Sequence, residues 1–423
     1  MVRRLLCLSA ILAGGLASLL AQQGSPPITM ADAIARAVAQ HPALSAARLE
    51  GEARAAEVAQ ATRRPNPTLS ADVEDLGRTV GSAMPSQTTV SVAQRFELGN
   101  KRGVRTTLAE LERTLADWDL TLARSDLEAR VAQVFIDGLA ADAELSLARA
   151  DAETTREMAA AVEARVNAGV AAPPELDRAQ AAASMARVQA VRVEEARRSA
   201  IIALTSAWGS PSGEEVALAG GLEAGVTVPP LATLELALEE SPTIARWTTE
   251  LARREKVVSS VKAGKVPDVD VGAGYRRLHD SESHAWVLGA TFSLPLFDKQ
   301  SDRLTAAQLR VNAARQERSS ALAGLRAGLL TAHSAATSAQ AALVELDQRV
   351  IPLSERAASA VQEGYQAGRF SLLEVLEARR GLADARKDRV RTLAELHRAL
   401  ITIQHLLGVT PVLAPSRTQG DRQ

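Results

Sequence analysis

"YQAGRFSLLEVLEARR" occupies Tyr365–Arg380, and "VNAGVAAPPELDRAQ" occupies Val166–Gln180. Each carries Ala-Gly, then a glutamate six residues after the glycine, then the start of a helical pattern. The same turn therefore occurs twice in one chain. Working outward from it, Gly169 aligns with Gly368 and Glu175 with Glu374 at an offset of 199, and Trp208-Gly209 with Leu407-Gly408 at the same offset. His41-Pro42 aligns with Ser241-Pro242, and Pro67 with Pro267, at an offset of 200. One indel reconciles two halves, 22–225 and 226–410. A repeat of that length is a duplicated structural unit, not a short solenoid repeat.

Each half has the same internal order. An amphipathic helix comes first, then a Pro-containing break ("RRPNP", 63–67, or "GKVPD", 264–268). Two short alternating segments follow, then a long helical stretch, the Ala-Gly turn and a helix back. The alternation predicts strands over 67–76, 88–98, 268–278 and 285–296, because period two puts one apolar and one polar face on an extended chain. Val90, Val92, Phe96 and Leu98 share a face, with Gln94 as the exception. Val269, Val271, Ala273 and Tyr275 oppose Asp268, Asp270 and Arg276. Trp286, Leu288, Ala290, Phe292, Leu294 and Leu296 oppose Gly289, Thr291 and Ser293. Each segment is about ten residues long, enough to cross a bilayer as a tilted strand. "GRTVGSAMPSQ" (77–87) and "HDSESH" (279–284) read as the hairpin loops.

Helical hairpins are expected over 103–208 and 300–408. Val104–Asn167 contains no proline and only Gly138, enough for roughly 95 Å of helix. Leu393, Leu396, Leu400, Ile403 and Leu407 step at heptad-like spacing, as do Leu343, Leu346, Val350 and Leu353. Pro352 should bend or interrupt the second series.

Composition agrees. Aromatic residues make up only 3% of the 423 positions, and Ala, Leu, Val, Arg and Glu dominate, as in long helices and coiled coils. A net charge of −1, with no basic-aromatic platform, speaks against nucleic acid. Arg3 and Arg4 ahead of an apolar run, with small residues after it, predict a secretory signal peptide over residues 1–21; the run is short of the ~20 residues that a membrane anchor needs. The one cysteine, Cys7, lies inside that signal, so the mature chain has no disulfide, Cys metal site or Cys nucleophile. Residues 411–423 read as a polar tail. No GxSxG, GxxxxGK[ST] or HExxH motif is present, and "GAGY" (272–275) sits in a strand pattern without the helix that a dinucleotide site requires. Neither a cofactor nor a metal site is expected. His279 and His284, flanking Asp280 and Glu282, read as an exposed turn, not a chelate.

Four strands cannot close a membrane barrel, since the smallest need about eight. An open sheet edge in lipid costs several kcal/mol per unpaired backbone group. If the strands span a membrane, copies must pool them: three chains would supply twelve strands and twelve antiparallel helical rods around one channel. A secreted coiled-coil scaffold with a small sheet would explain the helices but not two matched pairs of bilayer-length strands.

The plan resembles the outer membrane efflux protein family, the TolC family, over nearly the whole mature chain. "FELGNKR" (96–102), "FSLPLFD" (292–298) and the paired Ala-Gly turns carry the likeness. "RFELGNKRG" (95–103), "VIPLSERA" (350–357) and "EGYQAGRFSLLEVLEARR" (363–380) are closest to the CzcC-like branch that serves heavy-metal pumps. The resemblance implies an α+β membrane protein: a homotrimer with a shared transmembrane β-barrel, four strands per chain, continuous with a periplasmic α-helical barrel. It implies location in the outer membrane and docking on a periplasmic adaptor and an inner membrane pump of the resistance-nodulation-division (RND) type, with no enzymatic step. Heavy-metal cations are the implied cargo; drugs or secreted polypeptides are the alternatives. By the same resemblance, Glu374 and Glu377 match an acidic ring at the periplasmic aperture, and Tyr365 and Glu175 match residues that link the two hairpins. The tips, including Gly169, Gly368 and Phe370, would meet the adaptor. The family's tip link also uses an arginine at the position of Phe370; here Arg369 stands beside it instead.

Overall fold

A computed structural model describes residues 27–74, 87–209, 216–222, 226–279 and 281–412. The signal peptide, the first strand loop, Asp280 and all but the first two residues of the tail lie outside the described residues. The chain divides into two compact units.

One unit comprises 43–123 and 237–326 and contains the sheet. Strands β1 (Thr68–Glu74), β2 (Gln87–Phe96), β3 (Val269–Leu278) and β4 (Ser283–Phe292) pair antiparallel in the order β1-β2-β3-β4. The register sets Leu69 beside Val92, Val92 beside Ala273 and Ala273 beside Leu288. One turn of the pleat away it sets Val90 beside Tyr275 and Tyr275 beside Trp286. All of these share one face, and that face is bare: Leu69, Trp286 and Leu288 are 74%, 80% and 82% exposed. Tyr275 packs edge-on against Trp286 at 5.7 Å and stacks on His284 at 5.4 Å. The opposite face is polar. Ser70 and Ser91 hydroxyls lie 2.8 Å apart, Arg95 pairs with Asp270 at 3.0 Å, and the Arg276 guanidinium donates to the Thr89 hydroxyl at 3.0 Å. β4 stops at Phe292, short of Leu294 and Leu296. Pro295 lacks the N–H that a ladder needs.

The sheet is fastened at its base to helix starts and ends. Helices α1 (Met30–Gln40) and α2 (Pro42–Ala61) precede it, and α3 (Lys101–Asn167) leaves it. Lys101 bonds Asp268 at 2.6 Å, and Arg105 reaches Glu97 while donating to the Ala61 and Arg63 carbonyls at 3.1 Å. α3 runs 67 residues without a break, as the absence of interior proline requires.

The other unit comprises 1–42, 124–236 and 327–423. It holds the end of α3, the helix α4 (Pro173–Ala207) that returns from it, the short α5 (Leu231–Leu238) up to Leu236, and the second hairpin from Ala327 onward. After α6 (Pro242–Ala263) and β3–β4, α7 (Ser301–Glu345) passes through one π-helical turn, Leu346–Val350, into α8 (Ile351–Gln366). α9 (Leu372–Leu407) then returns. Phe135, Ile136, Leu204, Leu393 and Leu396 are buried here. Across the two hairpins, Arg398 of α9 bonds Asp137 of α3 at 2.7 Å, and His405 lies 3.2 Å from Ser125 and 3.3 Å from Asp126.

Pro352 disturbs its helix, as expected, and does so through the π turn. It has no N–H for the carbonyl four residues back, and the chain absorbs this one turn early. The Ile351 N–H bonds the Leu346 carbonyl, five residues before it. The wider turn takes up one extra residue, which rotates everything beyond it by about 100°. Leu343 is accordingly buried, whereas Leu353, expected on the same seam, is 55% exposed.

Candidate functional site: the paired hairpin tips

Both tips close in the same way. Gly169 and Gly368 each sit at φ 72°, the left-handed region in which glycine has no Cβ to strain. At the first, Gly169 N–H bonds the Val166 carbonyl at 2.9 Å and Val170 N–H bonds the Arg165 carbonyl at 2.9 Å. At the second, Gly368 N–H bonds the Tyr365 carbonyl at 3.0 Å and Arg369 N–H bonds the Gly364 carbonyl at 2.7 Å. This is the Schellman arrangement, which satisfies the last carbonyls of the incoming helix.

Beneath the turns, the two hairpins share one apolar cluster. α3 contributes Met158 and Val162, α4 Ala179, α8 Tyr365, and α9 Leu372 and Val375. Val375 is fully buried and Tyr365 is 7% exposed. A buried phenol needs a hydrogen-bond partner. Tyr365 Oη donates to Glu175 Oε2 at 3.2 Å, so the link runs from the end of α8 to the start of α4. A hydrogen bond to a charged group contributes about 1.5–3 kcal/mol. Burial first, and then Glu175, pushes the Tyr365 hydroxyl above its ordinary range, so it stays protonated as a donor.

Glu175 and Glu374 hold the same place, third in their returning helices. They use it differently. Ser371 caps α9: the Glu374 carboxylate accepts from Ser371 N–H at 2.7 Å and from Ser371 Oγ at 2.9 Å, and the Ser371 hydroxyl accepts from Glu374 N–H at 3.4 Å. This capping box holds the Glu374 carboxyl below the usual carboxylate range, chiefly through the backbone bond to Ser371. At the first tip the cap is Ala172, which has no side-chain oxygen, and prolines 173 and 174 begin the helix. Glu377 lies exposed one turn beyond Glu374.

A profile described as "Outer membrane efflux protein" matches residues 33–210 and again 233–409, once per half. The chain belongs to the outer membrane efflux protein family. Among its relatives, the cobalt-zinc-cadmium resistance protein CzcC of Cupriavidus metallidurans is 31% identical over 387 residues, 92% of this chain and 91% of that protein. The nickel-cobalt-cadmium resistance protein NccC of Alcaligenes xylosoxydans xylosoxydans is 30% identical over 71% of this chain and 69% of its own. Solved structures of CusC and of the outer-membrane channel OprN share the fold. Both have a TM-score of 0.77; they are 17% and 21% identical, cover 90% of this chain in each case, and are themselves covered to 92% and 89%. As a member of this family the chain is an outer membrane efflux channel, and the four-stranded sheet and helical hairpins are its share of that fold.

In this efflux protein the structure brings Glu175 and Tyr365 together, while Glu374 is held in its own helix cap and Glu377 lies exposed. Arg369 is exposed and, among the described residues, pairs with no carboxylate. Phe370 folds back: a Cβ built on Gly364 would come 2.2 Å from its ring. Gly364 is thus needed for Phe370, a pairing that the sequence reading missed. It also missed Arg165, whose guanidinium lies over the Tyr365 ring at 4.8 Å. The Ser371-x-x-Glu374 box was readable as the S-x-x-E signature.

Proposed function

We propose that three copies of the chain pool their strands into one barrel and form a conduit that discharges divalent heavy-metal cations, delivered by a periplasmic adaptor and an inner membrane RND pump. The observation that carries the conduit is the sheet, with one largely apolar exposed face and, among the described residues, two unpaired edges. The cargo rests on the near full-length identity with CzcC, whose name states cobalt, zinc and cadmium resistance.

In this reading the tips are the gate. The Tyr365–Glu175 bond ties the second hairpin to the first and favours the closed aperture. Glu374 and Glu377 recur three times about the axis, and a ring of carboxylates in a narrow mouth favours cations. The depressed Glu374 titration supports an ionised ring at neutral pH. The tips around Gly169, Gly368 and Phe370 are the surface offered to the adaptor. The halves 22–225 and 226–410 are the duplicated units, following a signal peptide over 1–21.

Deleting the gene is expected to lower cobalt, zinc and cadmium tolerance; unchanged metal tolerance with lost drug tolerance would assign the channel to drugs instead. In planar bilayers, Glu374→Ala with Glu377→Ala should weaken cation selectivity. Unaltered selectivity would remove the acidic ring from the account.

A further inference from the structure

The duplication pairs Arg165 with Gly364, since both stand four residues before the tip glycine. The second tip uses that position as empty space for the ring of Phe370. The first tip fills it with a cation. The Arg165 guanidinium stacks 4.8 Å from the centre of the Tyr365 ring. Its Nε is buried and, among the described residues, has no hydrogen-bond partner. A side chain serving only to fill this space would be apolar, because leaving a buried polar atom without a partner is costly. The electron-rich face of the tyrosine supplies that compensation. Arg165 and Glu175 thus approach one phenol from the same hairpin, the cation at the ring face and the carboxylate at the hydroxyl.

Resting on the gate reading above, we infer that Arg165 is a positioning residue of the closed state: it holds the Tyr365 ring so that the hydroxyl meets Glu175. The first hairpin thereby grips one residue of the second at two points. Opening requires Tyr365 to leave both partners together, and losing Arg165 weakens the hydroxyl bond without touching either of its atoms.

The test uses the full-length channel in planar bilayers with Arg165→Met, which keeps length and packing, Arg165→Lys, Tyr365→Phe and the Met/Phe double variant. Arg165→Met and Tyr365→Phe should each raise open probability several-fold, the double variant no more than about twofold beyond the larger single effect. Arg165→Lys should recover part of the closure. A second readout is independent of pore behaviour. The chain has two tyrosines, so in a Tyr275→Phe background Tyr365 titrates alone in the ultraviolet spectrum. Arg165→Met should move that titration to lower pH, because a ring no longer held against Glu175 loses the burial and the hydroxyl bond that raise it, and both outweigh the lost cation. Wild-type open probability and an unmoved titration in Arg165→Met would overturn the inference, as would multiplicative effects in the double variant. A wild-type chain that forms no pore would instead sink the gate reading on which it rests.

Discussion

The two tips are one turn written twice, and they differ in how they meet the other hairpin. Both glycines sit at φ 72° and both turns close with the same pair of backbone bonds. Yet Arg165 corresponds to Gly364, Ala172 to Ser371, and the exposed Pro173 to the buried Leu372. Where the cap is serine, the third-position glutamate turns inward to its own backbone; where it is alanine, the glutamate is left for Tyr365. A duplicated element keeps what the backbone demands and diverges in what its neighbours demand.

The largest effect that would break the comparison lies at the first helical position. Leu372→Ala should cost about 2–5 kcal/mol by emptying the shared cluster. Pro173→Ala at the matching site should cost less than about 1 kcal/mol, the unfolded-chain entropy alone. Thermal unfolding in detergent compares the two, and equal costs would mean that both tips bury their helix starts alike. Next, Gly364→Ala should cost about 1–3 kcal/mol because the new methyl meets the Phe370 ring. Gly364→Ala with Phe370→Ala should recover most of it. No recovery would locate the strain elsewhere. Smaller again, Ser371→Ala should lose about 1 kcal/mol of capping. Ala172→Ser sharpens the contrast, since it offers Glu175 a capping box and should raise open probability by drawing the carboxylate away from Tyr365.

The smallest effect is in pH, and its sign differs between Glu374 and Tyr365. Glu374 is depressed in the folded chain, so its contribution is complete above the ordinary value of about 4.5 and is lost as pH falls through the folded value. Tyr365 is raised, so its contribution is complete below the ordinary value of about 10 and is lost as pH rises through the folded value. Glu374→Gln should make the acidic limb of the stability profile shallower, and Tyr365→Phe the alkaline one.

Much of this was legible in the sequence, because it depends on near neighbours. Period two marks the strand faces from Leu69 to Phe292, the glycines mark the turns, and the absence of proline over 104–167 marks the long helix. What escaped depends on register between helices far apart in the chain. Arg165 and Tyr365 are 200 residues apart, and no local pattern aligns the end of α3 with the end of α8. The π turn lies between these cases. Pro352 announced a disturbance at the right place, but a bend and a one-residue phase shift have the same local cause. Only packing, which buries Leu343 and exposes Leu353, tells them apart. Phe370 likewise reads as an isolated apolar tip residue until Gly364 is seen beneath it.

Strands Thr68–Glu74 and Ser283–Phe292 border the sheet on either side, each with a row of backbone donors and acceptors still facing water. Lipid would strip that water without replacing it. A newly exported subunit therefore cannot insert first and find its copies afterwards. Joining and insertion must be one event, and until then Trp286 and Leu288 travel through the periplasm uncovered, needing either speed or an escort.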